Sequence, residues 1–264
     1  MSFFSANNLT AGYGNGHVIK NISFELNCGC VMGVLGANGS GKTTMLKAIC
    51  GILPHEGSCQ LEQTQLENLS IRQMAKLCSY IPQRSGISID ISALDVVLMG
   101  FNPQLGLLEH PTQTMRQAAM ETLAQIGLGE KAHTNFIHLS EGQKQLCIMA
   151  RTLVAGSKLL LLDEPESALD FHHRYRILSL LRNWVKDSGS GAIVTLHDPF
   201  LALNYCDELL LLAQGNVLDV IHPQTDSLEA MEMLLRRIYG NISLQYVSAR
   251  NGGRQLIMIN EDAL

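Results

Sequence analysis

The stretch Gly36-Ala37-Asn38-Gly39-Ser40-Gly41-Lys42-Thr43 constrains this chain more than any other. It fits G-x-x-x-x-G-K-[S/T] at every defined position. The residues before it, Val31 to Leu35, read as a short buried strand. Those after it, Thr44 to Ile49, read as the start of a helix. Strand, glycine loop, helix is the order a phosphate cradle requires. Glycines let backbone N–H groups turn inward around phosphate oxygens, and the helix N-terminus adds partial positive charge. In such a cradle Lys42 reaches the β- and γ-phosphates of a nucleotide, and Thr43 offers a hydroxyl to Mg²⁺.

Further along, Leu159 to Leu162 form a continuous apolar run ending in Asp163-Glu164-Pro165. A run of that length is a strand buried on both faces, as in a parallel sheet. Its C-terminal end is the usual ligand edge of an open α/β sheet. Asp163 there would hold Mg²⁺, directly or through water, and Glu164 would orient or deprotonate an attacking water. Ala192 to Leu196 read as another buried strand, which ends at His197, within reach of a γ-phosphate. Ser140 and Gln143 form an S-x-x-Q capping box. That box starts a helix and presents a terminus suited to phosphate. The fold class is therefore α/β: a P-loop nucleotide-hydrolase core with a mostly parallel sheet.

The N-terminal segment differs in pattern. Phe3 to Leu9, Ile22 to Leu26 and Gly57 to Leu61 read as strands separated by turns, an antiparallel β subdomain. An aromatic shortly before a phosphate loop can stack on adenine. By spacing alone, Tyr13 fits that role and a core tyrosine equally well. Cys78 to Gln83 read as a strand stopping at Pro82. Then the character changes. Ser92, with Asp95 three residues on, caps a helix to Met99. Phe101 to Pro111 are punctuated by proline and glycine. Met115 to Ile126 are amphipathic and stop at Gly127. Residues 84–155 thus read as a helical insertion in a single domain whose core is 1–83 and 156–264. Phe171 to Lys186 read as a helix, Glu208 to Leu218 as a hairpin around Gln214-Gly215, and Leu256 to Ile259 as an added edge strand.

With 264 residues, 46% hydrophobic and only 16% charged, the chain suits a protein that hides surface against a partner. A net charge of −5 speaks against a basic nucleic-acid surface, so no nucleic-acid partner is expected. No signal peptide is expected from Met1-Ser2-Phe3-Phe4-Ser5, and no apolar run approaches the roughly 18 residues of a spanning helix. The seven cysteines are scattered, which argues for reduced thiols. His172-His173 makes a poor metal site, because adjacent helical residues do not share a face.

Taken together and in order, these pieces resemble the nucleotide-binding subunit of an ATP-binding cassette (ABC) transporter. Gly36 to Thr43 look like its Walker A loop and Leu139-Ser140-Glu141-Gly142-Gln143 like its signature loop. Leu159 to Glu164 look like Walker B with its catalytic glutamate. Gln83 matches the Q-loop glutamine, Ser167-Ala168-Leu169-Asp170 the D-loop, and His197 the switch histidine. Tyr13 falls at the family's adenine-stacking position.

The resemblance implies catalysis by Glu164, His197 and Gln83. It implies Mg²⁺ at Thr43, Gln83 and Asp163. ATP would contact Tyr13, Gly36, Asn38, Gly39 and Ser40, then Gly41, Lys42, Thr43 and Thr44. Ser140, Gly142 and Gln143 would reach the ATP held by a second copy, in a head-to-tail dimer. Gln83 and the insertion would relay motion to transmembrane permease subunits, which engage a periplasmic or extracellular substrate-binding protein. The chain would then sit peripherally on the cytoplasmic face of the inner (plasma) membrane.

Asp95 to Gly100, Thr195 to Asp198 and Arg236 to Gly240 resemble the ATPases of iron–siderophore, haem, cobalamin and molybdate importers. An exporter ATPase, or a soluble ABC protein of repair, translation or cluster assembly, is the alternative. No tandem cassette or long coiled-coil insertion favours the soluble reading. Two positions depart from the family. Glu166 stands where threonine or serine is common, and little consequence is expected. Glu141 replaces the first glycine of L-S-G-G-Q. An acid in a first helical turn suits the dipole, but near a γ-phosphate it repels. Glu141→Gly is therefore expected to strengthen nucleotide-dependent dimerisation slightly, read by light scattering; no gain in dimer rules this out.

Overall fold

The computed structural model describes residues 2–14, 16–83, 86–106, 108–167, 169–248, 250 and 252–262. Ala168 of the D-loop stretch lies outside them. In chain order, β1 (Phe4–Tyr13) and β2 (Gly16–Leu26) lead to β3 (Val31–Leu35), the glycine loop and α1 (Lys42–Ile49). Next come β4 (His55–Leu61), β5 (Thr64–Gln65), α2 (Ile71–Leu77) and β6 (Cys78–Ile81). The insertion carries α3 (Ala93–Leu98), α4 (Gln113–Gln125) and α5 (Glu141–Ala155). The chain returns through β7 (Leu159–Asp163), α6 (Phe171–Ser188), β8 (Gly191–Thr195) and α7 (Pro199–Tyr205). It closes with β9 (Glu208–Ala213), β10 (Asn216–Ile221), α8 (Leu228–Tyr239), β11 (Ile242–Ser248) and β12 (Arg254–Asn260).

Two sheets dominate. The first is antiparallel, ordered β2-β1-β4-β5, and the second is six-stranded, ordered β10-β9-β3-β8-β7-β6. Every pairing in the second is parallel except β9 with β10. Burial on both faces explains its continuous apolar strands. Leu159 and Leu161, with Ile193, Leu210 and Leu212, face the first sheet and α1. Leu160 and Leu162, with Val194, Leu209 and Leu211, face the helical side. Each fully buried leucine of this kind contributes about 1.5–3 kcal/mol relative to an exposed one. Strand alternation thus splits one leucine run between two cores.

The helix starts follow their caps. Ser92 with Asp95 and Ser140 with Gln143 both close complete capping boxes. Asp170 caps α6 by accepting from the His173 N–H. Several elements differ from the sequence expectation. β1 runs on to Tyr13, because antiparallel pairing with β2 carries it through three register shifts. The stretch Leu256 to Ile259 is not an edge of the main sheet: β12 pairs only with β11 in a separate two-stranded sheet. Asn204 holds that hairpin, donating to Leu256 O and accepting from Leu256 N. The helices α7 and α8 were not expected from the sequence reading, although Asp198-Pro199 and Ser227 mark their starts.

All seven cysteines are free thiols. Among the described residues, His55, Cys59 and Glu67 bring ligand-type atoms within 4.8 Å. Glu67 is already shared by the His55 ring at 3.2 Å and the Cys59 N–H at 2.5 Å. Burial pushes the Cys59 thiol up to about 12. The group pins the turn after β5 to β4, and the thiol belongs to the apolar core.

Candidate active site

The C-terminal ends of β3, β6, β7 and β8 converge, because parallel strands place all their carboxyl ends on one edge. β3 feeds the glycine loop, β6 leads to Gln83, β7 ends at Asp163 and β8 leads to His197. Asp163 and Thr195 are register partners across β7 and β8.

The glycine loop curls over the start of α1. Gly41 sits at φ 103°, in the left-handed region that an L side chain resists. It is the N-cap of α1 and provides no side-chain cap, so first-turn N–H groups remain free to bind an anion. Ser40 Oγ is buried and without a partner among the described residues. Lys42 is buried and donates through Nζ to Gly36 O at 2.8 Å and Ala37 O at 3.4 Å. Burial lowers its pKa, and Glu164, Asp163 and Glu166 oppose that shift. The cavity here, about 170 Å³, is lined by Val18, Asn38 to Thr44 and Glu164. Ligand pockets for drug-sized molecules run to roughly 300–1,000 Å³. This one matches phosphates, and a base and sugar would lie outside it. Tyr13, 54% exposed at the end of β1, is not among the residues that line this cavity.

Asp163 is 4% exposed and fully engaged. Its Oδ1 accepts from Thr43 Oγ1 at 2.9 Å and Thr195 Oγ1 at 3.0 Å, and its Oδ2 accepts from Tyr80 OH at 3.1 Å. Burial, with the Asp163 charge beside it, pushes the Tyr80 phenol well up. A carboxylate and a hydroxyl within hydrogen-bond distance are hard oxygen donors, the set Mg²⁺ prefers. Sequence reading gave Tyr80 and Thr195 no role here, because their contacts to Asp163 cross between strands 83 and 32 residues apart in the chain.

Glu164 follows at φ 48°, a left-handed conformation costing on the order of 1–3 kcal/mol for such a residue. Its N–H donates to Thr195 Oγ1 at 2.9 Å. One carboxylate oxygen lies 2.7 Å from His197 Nε2, and the other accepts from Gln83 Nε2 at 2.7 Å. Gln83 also donates to Ser167 Oγ at 3.4 Å. It therefore stands on Glu164, not on the Asp163–Thr43 pair.

Ser140, Gly142 and Gln143 lie elsewhere, at the start of α5, and none lines the phosphate cavity of its own chain. The ring of His173 lies against Gly142, and a Cβ there would come within 2.9 Å of it. His173 itself pairs with Asp170 at 2.8 Å. Glu141 is paired with Lys144 at 2.8 Å, on its own helix surface.

A family model described as ABC transporter matches residues 19–167, more than half of the chain. The chain belongs to the ABC transporter family. It is 36% identical over 244 residues to the hemin import ATP-binding protein HmuV of Bordetella pertussis, covering 89% of this chain and 91% of that one. In structure it matches a chain from an ABC transporter described as of metal-chelate type, in an inward-facing conformation. That match has TM-score 0.84 and 26% identity over the whole of both chains. It also matches a dimeric ATP-binding cassette in a post-hydrolysis state bound to ADP and Pi. There the TM-score is 0.73 at 25% identity, covering 83% of this chain and 98% of the other. The cassette is an ATP-hydrolysing component of an ABC transporter. Among its described residues, no helix is long and apolar enough to cross a membrane.

Glu166 requires a correction, since little consequence was expected of it. The residue is 2% exposed, and its Oε1 accepts from the His197 N–H at 3.0 Å. Burial raises its pKa and Glu164 adds to the rise, against the hydrogen bond from His197. The fold thus favours the neutral acid. Stability from this group is greatest at low pH and is lost as pH rises toward the raised folded value. Glu166→Gln cannot ionise. Its stability relative to the parent should therefore increase as pH climbs above about 4.3, the ordinary glutamate value. Thermal unfolding of both proteins over a pH series measures this; a pH-independent difference contradicts it.

Proposed function

We propose that this cassette is the ATPase subunit of an importer whose cargo is hemin or a related metal chelate. One observation carries the reading. Glu164, His197 and Gln83 meet beside an uncapped phosphate loop, on a chain alike to a hemin import protein along nearly nine-tenths of its length. The metal-chelate description of the structural match supports the same cargo class.

ATP phosphates occupy the loop from Gly36 to Thr44, with Lys42 turning from its loop carbonyls to the β- and γ-oxygens. Tyr13 stacks on the adenine. Glu164 is the general base for the attacking water. Both its oxygens are engaged by Gln83 and His197, so arrival of a γ-phosphate frees one of them by offering these donors a stronger acceptor. Asp163 and Thr43 would hold Mg²⁺, which when bound would neutralise charge on the phosphate oxygens, whereas Gln83 stands on Glu164.

Ser140, Gly142 and Gln143 do not line their own cavity, so they finish the site of a second copy packed head to tail. The post-hydrolysis relative is itself dimeric. Glu141 faces that junction with its charge partly balanced by Lys144. Exposed pairs of this kind contribute about 0–1 kcal/mol. Residues 84–155 form the lobe that, with Gln83, transmits opening and closing to transmembrane permease subunits. A substrate-binding protein acts only through those permeases. The core is then 1–83 with 156–264, held peripherally at the cytoplasmic face of the membrane.

Lys42→Ala should lose ATP binding. Glu164→Gln should bind ATP, accumulate the closed dimer and lose turnover by at least about 100-fold, the scale of a lost general base. Turnover at the parental rate in Glu164→Gln removes the catalytic assignment. For the cargo, a strain lacking this chain should lose uptake of labelled hemin and recover it with the parent gene but not with Glu164→Gln. Undiminished hemin uptake redirects the cargo to another chelate.

A further inference from the structure

We propose that Glu166 is a positioning residue for hydrolysis: its buried carboxyl holds the main chain of His197 and thereby sets the imidazole on Glu164. The proposal rests on the reading of Glu164 and His197 as hydrolytic partners.

His197 is the second residue past the end of β8. Its side chain is 43% exposed, and the hydrogen-bond contact it makes is to Glu164 at 2.7 Å. Solvent therefore does little to fix the ring. What fixes it is where its backbone starts. On one side, the Leu196 N–H donates to Val34 O at 3.2 Å. On the other, Asp198 caps α7 by accepting from the Phe200 N–H at 2.9 Å. Between them, the His197 N–H is held by Glu166 Oε1 at 3.0 Å.

Glu166 can do this because its own segment is braced. Ser167 N donates to Glu164 O at 3.2 Å, and Leu169 N donates to Glu166 O at 3.1 Å. The turn carrying the general base and the turn carrying its imidazole partner are thus joined twice. One joint is the Glu164–His197 side-chain pair, and the other is the Glu166 carboxyl on the His197 backbone. The second oxygen, Oε2, is buried and has no partner among the described residues. An orphan buried polar atom is a cost that an apolar residue would avoid. What the residue supplies is reach: the carboxyl spans from the β7 turn to the β8 turn, and a threonine hydroxyl, carried on Cβ, is shorter by two carbons.

The charged and titratable groups around Glu166 are Glu164 on its own turn, His197 beyond β8, Lys42 on α1 and Cys206 after α7. Holding a backbone N–H needs only an acceptor, so the role does not depend on ionisation. A glutamine amide oxygen can fill it, and a methionine of similar length cannot.

The test is steady-state ATPase kinetics of the chain assembled with its permease subunits, comparing the parent, Glu166→Met and Glu166→Gln. A misplaced catalytic group costs on the order of 10- to 100-fold. Glu166→Met should lose about that much in kcat with KM for ATP within about twofold, and Glu166→Gln should recover kcat to within about threefold. In a His197→Ala background, Glu166→Met should cost little more, because the two residues act as one unit. Parental kcat in Glu166→Met overturns the proposal, as does a further tenfold loss in the His197→Ala background. If Glu166→Met shows no thermal transition, Glu166→Gln decides alone, and a loss of about tenfold or more in it overturns the proposal. Should Glu164→Gln trap the closed dimer while Glu166→Met turns over normally, only the positioning role falls. Should Glu164→Gln itself turn over normally, the hydrolytic site falls.

Discussion

Asp163 ties the nucleotide edge of this protein together. A buried carboxylate is tolerable only when its oxygens are satisfied. This one is satisfied by hydroxyls from three other elements: Thr43 of α1, Thr195 of β8 and Tyr80 of β6. The partners lie 120, 32 and 83 residues away in sequence. One side chain therefore fixes the phosphate loop against two strands. The same oxygens are the donors a hard cation would take, so the structural knot and the chemical site coincide.

From that knot the catalytic geometry extends outward by one residue. Glu164 takes a strained left-handed backbone, held by Thr195 through the same hydroxyl that binds Asp163. Its carboxylate is shared by Gln83 and His197, which arrive from different strands. Strain and shared partners at such a residue are the marks of a preorganised site. Behind it, Glu166 links the β7 turn to the β8 turn through a backbone contact. The signature helix stands apart, with His173 packed on Gly142. Ser140, Gly142 and Gln143 of that helix do not line the phosphate cavity of their own chain.

Much of this was legible in order along the chain. The glycine loop, Asp163-Glu164 and His197 are local patterns, each at the end of an apolar strand, and the structure puts all of them on one sheet edge. Ser92 and Ser140 were readable as caps because a capping box is a contact of three residues' span. Tyr80, Thr195 and Glu166 were not readable. Their meaning comes from which strand lies beside which, and a strand order of β3-β8-β7-β6 is invisible to local pattern. The β12 hairpin was misplaced for the same reason. An apolar run of four residues says strand, but its partner is chosen by Asn204 and the helices it covers.

The sequence by itself determined the phosphate loop, the doubly buried strands, the helix starts and the nucleotide-hydrolase class, because these rest on contacts between near neighbours or on hydropathy period. Tertiary structure alone decided that Glu166 is a buried acceptor for His197 and that Asp163 is a four-element hub. It also decided that the C-terminal β11–β12 hairpin stands apart from the main sheet. Those facts depend on the packing of strands distant in sequence, and the long-range burial that sets it has no local signature.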